Sequence, residues 1–317
     1  MQAGAHGLVP ASGLAARINV LLDASSKYKN QLDDIEWSLT ENTPLLDSAN
    51  IVPDDWEHMA KLCLEHKGAD AIVIIHGTDT LAYTSSALAF LLQDINIPVI
   101  VTGSQKPLHA PDSDALNNLI GAMLEARQVP PGLWVYFDHR LMSGVRTVKK
   151  DAIHFDGFDT PRLLQGSKAG VSEKIMWQAS ARDWDAIQIT NVHMMPGYPV
   201  RHLNALIEAR PDAIILSIYG LGTFADQNIA LLEALHKARE QNIIVVAISQ
   251  CYIGYVDFSV YATGRQLTAL GVLSGRDITL EAAYTKLMVL FRLGYTIEQI
   301  KDLFERNINY EMNDKST

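Results

Sequence analysis

From about residue 50 the chain repeatedly alternates a short β-branched run with a longer stretch of helical period, and this constrains its fold more than any other feature. That alternation is the pattern of a parallel sheet covered by helices, so the class is α/β. Strands are expected at 71–75, 97–101, 133–137, 186–190, 213–218 and 243–248. Helices are expected from Pro53, from Leu81 to Leu92, and at 200–209, 226–240, 281–292 and 296–307. Pro53 near a first turn, with Asp54 and Asp55 beside the positive end of the helix dipole, is a helix-opening pattern. Around Trp177 to Asp183 the texture turns polar and loses its period, and the alternation then restarts. We therefore read two α/β domains: a larger N-terminal one over 1–180, with a parallel-type sheet flanked by helices, and a smaller C-terminal one over 185–317.

Composition sharpens this. At 317 residues and 48% hydrophobic content the chain has the apolar mass for two cores. Twenty-six Lys and Arg against 36 Asp and Glu give a net charge of -10, which repels phosphate backbones and anionic lipid, so nucleic acid is a poor partner. The longest apolar runs fall far short of the roughly 20 residues that cross a bilayer. The first twenty residues lack the basic start, apolar stretch and cleavage site of a signal peptide. Two cysteines, Cys63 and Cys251, make neither a disulfide framework nor a four-thiolate zinc site, which fits a reducing compartment. The reading is a cytoplasmic protein with no membrane segment.

Most familiar catalytic motifs are missing. Gly220-Leu221-Gly222-Thr223-Phe224-Ala225 mimics a dinucleotide fingerprint, but the next strand, Ile243 to Ile248, ends in Ser249-Gln250-Cys251 instead of the acid that holds a ribose. Serine-hydrolase, P-loop and zincin signatures are absent, and the ten histidines are scattered, so no cofactor and no metal are expected. His76-Gly77-Thr78-Asp79-Thr80 is different. It sets two hydroxyls and a carboxylate where a strand runs into a helix, the side of an open parallel sheet on which ligands bind. Asp79 and Thr80 are equally good helix-capping types. The loop Thr102 to Pro107, ending the following strand, is expected beside it.

The stretch His76-Gly77-Thr78-Asp79-Thr80-Leu81-Ala82-Tyr83, with Ile97-Pro98-Val99-Ile100-Val101-Thr102-Gly103-Ser104-Gln105, resembles the second signature of the bacterial-type L-asparaginases, cytoplasmic type I branch. The resemblance runs on through Thr43 to Ser48, Arg146 to Lys149, Phe155 to Phe158, Ser217 to Gly222, Ser249 to Cys251, Tyr261 to Gly264 and Thr279 to Ala282, over essentially the whole chain. It implies hydrolysis of L-asparagine to L-aspartate and ammonia. Thr78, Asp79 and Lys149 are similar to the family's Thr-Lys-Asp triad, in which a buried lysine activates a weak hydroxyl nucleophile. Ser48 and the amides around Gly77 and Thr78 resemble the pocket for the substrate α-carboxylate, and the carbonyl side of Ser104 would face the departing nitrogen. Glu281 resembles the acid that reaches a neighbouring subunit's substrate ammonium, which implies a homodimer or homotetramer. Taken singly, Ser48 is also a turn residue, Lys149 with Lys150 a solvated basic surface, and Glu281 a helix-start acid.

The sequence departs from the family in three places. The first signature, Thr-Gly-Gly-Thr-Ile-Gly, which carries the usual primary nucleophile, is absent. Gly7 to Gly13 matches the loop that follows it, with Leu8 in the place of a catalytic tyrosine. Thr223 stands where many relatives have Asn. Two accounts of the first difference are open: a start placed at an internal methionine of a longer protein, or a relative that has lost half of the machinery. The rival of a different class is a non-catalytic protein that binds aspartate or asparagine through Ser48, Asp79 and Glu281.

Overall fold

The structure is a computed structural model, and it describes residues 2–4, 7–9, 13–23, 26–162 and 174–313. In chain order the elements are β1 (Gln2–Gly4), β2 (Gly7–Val9), α1 (Leu14–Asp23), α2 (Ser26–Leu32), α3 (Pro53–Glu65), β3 (Ile72–Ile75), α4 (Leu81–Leu91), β4 (Pro98–Thr102), α5 (Ala115–Glu125), β5 (Gly132–Phe137), β6 (Arg140–Ser143), β7 (Val148–Lys149) and β8 (Phe158–Asp159). They continue with β9 (Ile189–His193), α6 (Val200–Glu208), β10 (Ala213–Ile218), α7 (Ile229–Glu240), β11 (Ile244–Ser249), α8 (Ala262–Ala269), β12 (Leu273–Ser274), α9 (Leu280–Leu293) and α10 (Ile297–Phe304).

The chain falls into two compact units, Met1–Leu88 with Asp94–Asp159 and Ala89–Gln93 with Thr160–Thr317. The first is built on a sheet of order β3-β4-β5-β6, parallel except for the antiparallel edge β6. Val99, Ile100 and Val101 of β4 are wholly buried, as befits the middle of a covered parallel sheet. One side of that sheet packs Val101, Val135 and Phe137 against Leu81, the first residue of α4, and against Phe158 of β8. Full burial of such side chains is worth about 1.5–3 kcal/mol each. This core therefore fixes both the start of α4 and the short β7–β8 hairpin.

The second unit has an all-parallel sheet of order β12-β11-β10-β9. Every residue of β10 and β11 is buried, and Leu203 and Ile207 of α6 with Leu231 and Leu235 of α7 close one face. Both units are thus α/β, as the alternation of periods requires.

The division at Asp159 precedes the polar stretch at which the sequence reading separates 1–180 from 185–317. The reason is local hydrogen bonding. Gln178 N donates to Leu293 O (2.7 Å), Arg182 N to Arg292 O (3.2 Å) and Ser180 Oγ to Gly294 O (2.7 Å), so this stretch packs on the end of α9. The strand expected at 186–190 lies at Ile189–His193, because Trp184–Ala186 forms a 3-10 turn. The helix expected from 226 begins at Ile229, where Asn228 is the N-cap and accepts from Leu231 N. Among the described residues no helix is long and apolar enough to cross a membrane.

Candidate active site

The segment 76–80 leaves β3 and enters α4. His76 N still donates to Thr102 O (2.8 Å), continuing the β3–β4 ladder, so the loop after β4 lies directly beside it. Burial pushes the His76 imidazole down, keeping it neutral, and Nδ1–H then donates to Gly77 O across 2.6 Å. Ser48 opens a 3-10 turn capped by Asp47 and is 4% exposed. Its carbonyl accepts from Thr80 Oγ1 (2.7 Å), which joins two segments 32 residues apart. At Gly77 a Cβ would lie 2.4 Å from Ser48 Oγ and 2.8 Å from its Cβ, so this close approach admits only glycine.

Lys149 reaches the same place from β7. Its Nζ donates to Thr78 Oγ1 (2.9 Å) and to Asp79 Oδ1 (2.8 Å). The hydroxyl, the amine and the carboxylate thus meet across 70 residues of chain. The sequence reading expects a buried lysine. The side chain is only partly buried, 22% exposed, and that of Asp79 is 62% exposed, because the three groups sit on the rim of the sheet above the core. In register, Lys149 pairs with Phe158, whose ring is buried 4.8 Å from that of Phe137. The hydrophobic core thereby sets where the amine stands.

Ser104 lies in the half-buried loop that follows β4 and Gly103. Two residues of α5's start, not singled out by the sequence, shape that loop. Asp114 accepts from Gln105 N (2.9 Å) and Lys106 N (3.0 Å), and Asn118 Nδ2 donates to Gly103 O (3.0 Å). Asn118 is 2% exposed in an otherwise apolar helix interior, and a buried amide of that kind was the available signal. Ser48, Gly77, Thr78, Asp79, Ser104 and Lys149 all belong to the first unit.

Glu281 belongs to the second unit, in the first turn of α9, whose N-cap Thr279 accepts from Ala282 N. Burial pushes its carboxyl above the usual carboxylate range, opposed by its own amide and by the nearby Arg162 guanidinium. Thr223 Oγ1 donates to Tyr219 O (3.3 Å), closing the turn after β10. Leu8 lies outside the residues whose side chains are described. Among the described residues no group of three or more His, Cys, Asp or Glu is placed to hold a metal ion.

An amine that bonds both a hydroxyl and a carboxylate just past the carboxyl end of a parallel strand defines a candidate acyl-transfer site on a two-domain α/β scaffold. Residues 6–181 match the asparaginase N-terminal family, and the shorter span 188–304 matches the glutaminase/asparaginase C-terminal domain. The chain is 35% identical to L-asparaginase 1 of Escherichia coli (strain K12), over 98% of this chain and 94% of that protein. It is 36% identical to the L-asparaginase of Thermococcus kodakarensis, over 84% of each. The crystal structure of L-asparaginase I from Vibrio cholerae superposes with a TM-score of 0.83 at 33% identity, covering 96% of this chain and 94% of that one. This chain belongs to the asparaginase family.

Proposed function

We propose that the protein hydrolyses the side-chain amide of L-asparagine, giving L-aspartate and ammonia, with Thr78 as nucleophile. The observation that carries this reading is the contact of Lys149 Nζ with both Thr78 Oγ1 and Asp79 Oδ1. In its neutral form Lys149 takes the Thr78 proton as Oγ1 attacks the amide carbon, a role worth about 10²–10⁴-fold in rate. The same proton passes to the leaving nitrogen, ammonia departs, and water cleaves the resulting threonyl ester. Asp79 orients the amine and holds the substrate ammonium. Ser48, packed against Gly77, and the amides of Gly77 and Thr78 take the α-carboxylate, and Ser104 faces the departing nitrogen.

The acting form is a homodimer or homotetramer in the cytoplasm, in which Glu281 serves the substrate ammonium of a neighbouring copy. Tyr252, Ile253, Tyr255, Val260 and Tyr261 are each at least 45% exposed within ten residues of chain, a concentration of apolar surface that favours covering by a second copy. No cofactor takes part. Ammonia release from L-asparagine, with Thr78→Val as control, tests the reading: parent turnover lost in the variant is the expected result. Aspartate binding by calorimetry without ammonia release by the parent would instead establish the non-catalytic binding protein.

A further inference from the structure

Beside Ser104, the Gln105 side chain reaches the loop that follows Lys149. Its Nε2 donates to Asp151 O (3.1 Å) and to His154 O (2.9 Å), so both amide protons are used. The reversed amide would set an oxygen against two carbonyl oxygens, which fixes its orientation. The Gln105 backbone is itself anchored, since its N–H donates to Asp114. The loop it grips is a closed unit. Lys150 N and Asp151 N both donate to Gly157 O (2.8 and 3.2 Å), while the Asp151 carboxylate accepts from Ile153 N, His154 N and His154 Nδ1 at 2.7–2.9 Å.

Gly157 gives the second, independent sign. A Cβ there would lie 2.6 Å from Gln105 Nε2 and 3.3 Å from Cδ, so the absence of a side chain at 157 is what lets the amide through. Lys149 is therefore held from two directions: through its pairing with Phe158 on the core side, and through the next residues of its own chain by Gln105.

We propose that Gln105 is a positioning residue that sets the Lys149 amine against Thr78, with Gly157 as the slot through which it acts. The inference rests on the hydrolytic reading above only for its kinetic readout. A shift of about 1 Å in a reacting group costs on the order of 10²-fold in rate. Gln105→Ala and Gly157→Ala are each expected to lower kcat for asparagine about 10–100-fold, with KM within about twofold. The double variant is expected to be no slower than the slower single one, because a methyl at 157 has nothing to displace once the amide is gone. The activity-independent readout is the ε-carbon signal of Lys149 in protein carrying ¹³C-lysine. It is expected to move in Gln105→Ala, in Gly157→Ala and in the conservative Gln105→Met, and by no more in the double variant. Multiplicative rate losses, a loss confined to KM, or a Lys149 signal that stays in place would each overturn the proposal. A parent that releases no ammonia while Lys149 responds as expected overturns the hydrolytic reading and leaves the positioning role standing.

Discussion

Among the lysine–carboxylate pairs of the described residues, one in each unit makes a contrast, because their surroundings are opposite. Lys149 and Asp79 are 2.8 Å apart with side chains 22% and 62% exposed, while Lys286 and Glu311 are 2.5 Å apart and both fully buried. Lys286 spends its three ammonium protons on Phe304 O, Arg306 O and Glu311 Oε1. Glu311 in turn accepts from Ile308 N and Asn309 N. Burial alone pushes the Glu311 carboxyl up, but the Lys286 charge and those N–H bonds more than reverse it and hold the group below the usual carboxylate range. A pair with every donor and acceptor satisfied ties α9 to the chain after α10 and has no valence left for chemistry. The rim pair keeps a hydroxyl in contact with its amine and leaves its carboxylate open to solvent. Proton transfer needs the second arrangement; cohesion is served by the first.

The largest effect that tests this contrast falls on the rim. Lys149→Met is expected to lower ammonia release from asparagine by about 10³-fold. Its urea-unfolding free energy is expected to change by less than about 1 kcal/mol, because the carboxylate left behind is 62% exposed and stays solvated. Near-parental rates would remove Lys149 as the base. Glu311→Gln should do the reverse, costing about 3–5 kcal/mol of stability by leaving a buried ammonium without its counter-charge. The KM for asparagine is expected to stay within twofold in whatever fraction remains folded. A smaller effect concerns pH. A carboxyl depressed in the folded state contributes stability that is present above its unfolded pKa, about 4.3 for glutamate, and is lost as pH falls through the folded value. The stability gap between parent and Glu311→Gln is therefore expected to be full above about pH 5 and to narrow steadily below it. A gap that widens on acidification would show Glu311 to be neutral in the folded protein.

How far the two regions could be read from the sequence differs for physical reasons. The rim site sits on loops between strongly periodic segments, so the strands at 71–75 and 97–101 and the helix from Leu81 already put the Thr78 and Ser104 loops side by side. Strand β5 is legible from its apolar and aromatic run, and β10 and β11 from their β-branched ones. What stayed hidden depends on single long-range hydrogen bonds. No local pattern announces that Gln105 spans to residues 151 and 154, or that Asp114 and Asn118 shape its loop. The antiparallel edge β6 and the helices α5 and α8 also went unread. Helix α8 carries Thr263 and Gly264 in an eight-residue span, too short and too polar to show a period. The sealed pair escaped for a similar reason: Lys286 lies within an apolar helix and Glu311 in an irregular tail, 25 residues apart, and only the fold makes them partners.

The smallest expected effect bears on the plainest reading of the basic dipeptide, that Lys149 and Lys150 together are a solvated surface. Lys150 Nζ donates to Asp156 (2.5 Å), a carboxylate 49% exposed and shared with Arg140. Lys149 is the last residue of β7 and its amine meets Thr78 and Asp79, whereas Lys150, just past the strand, bonds within its own loop. An exposed ion pair of this kind is worth about 0.2–1 kcal/mol. Lys150→Ala is expected to lower stability by no more than that in 0.1 M salt, with the difference vanishing near 1 M as the charges are screened. Its kcat for asparagine is expected to stay within twofold of the parent. A loss of turnover comparable to that of Lys149→Met would mean that the two lysines act as one basic patch, and the distinction between a rim pair that works and neighbours that merely solvate would fall with it.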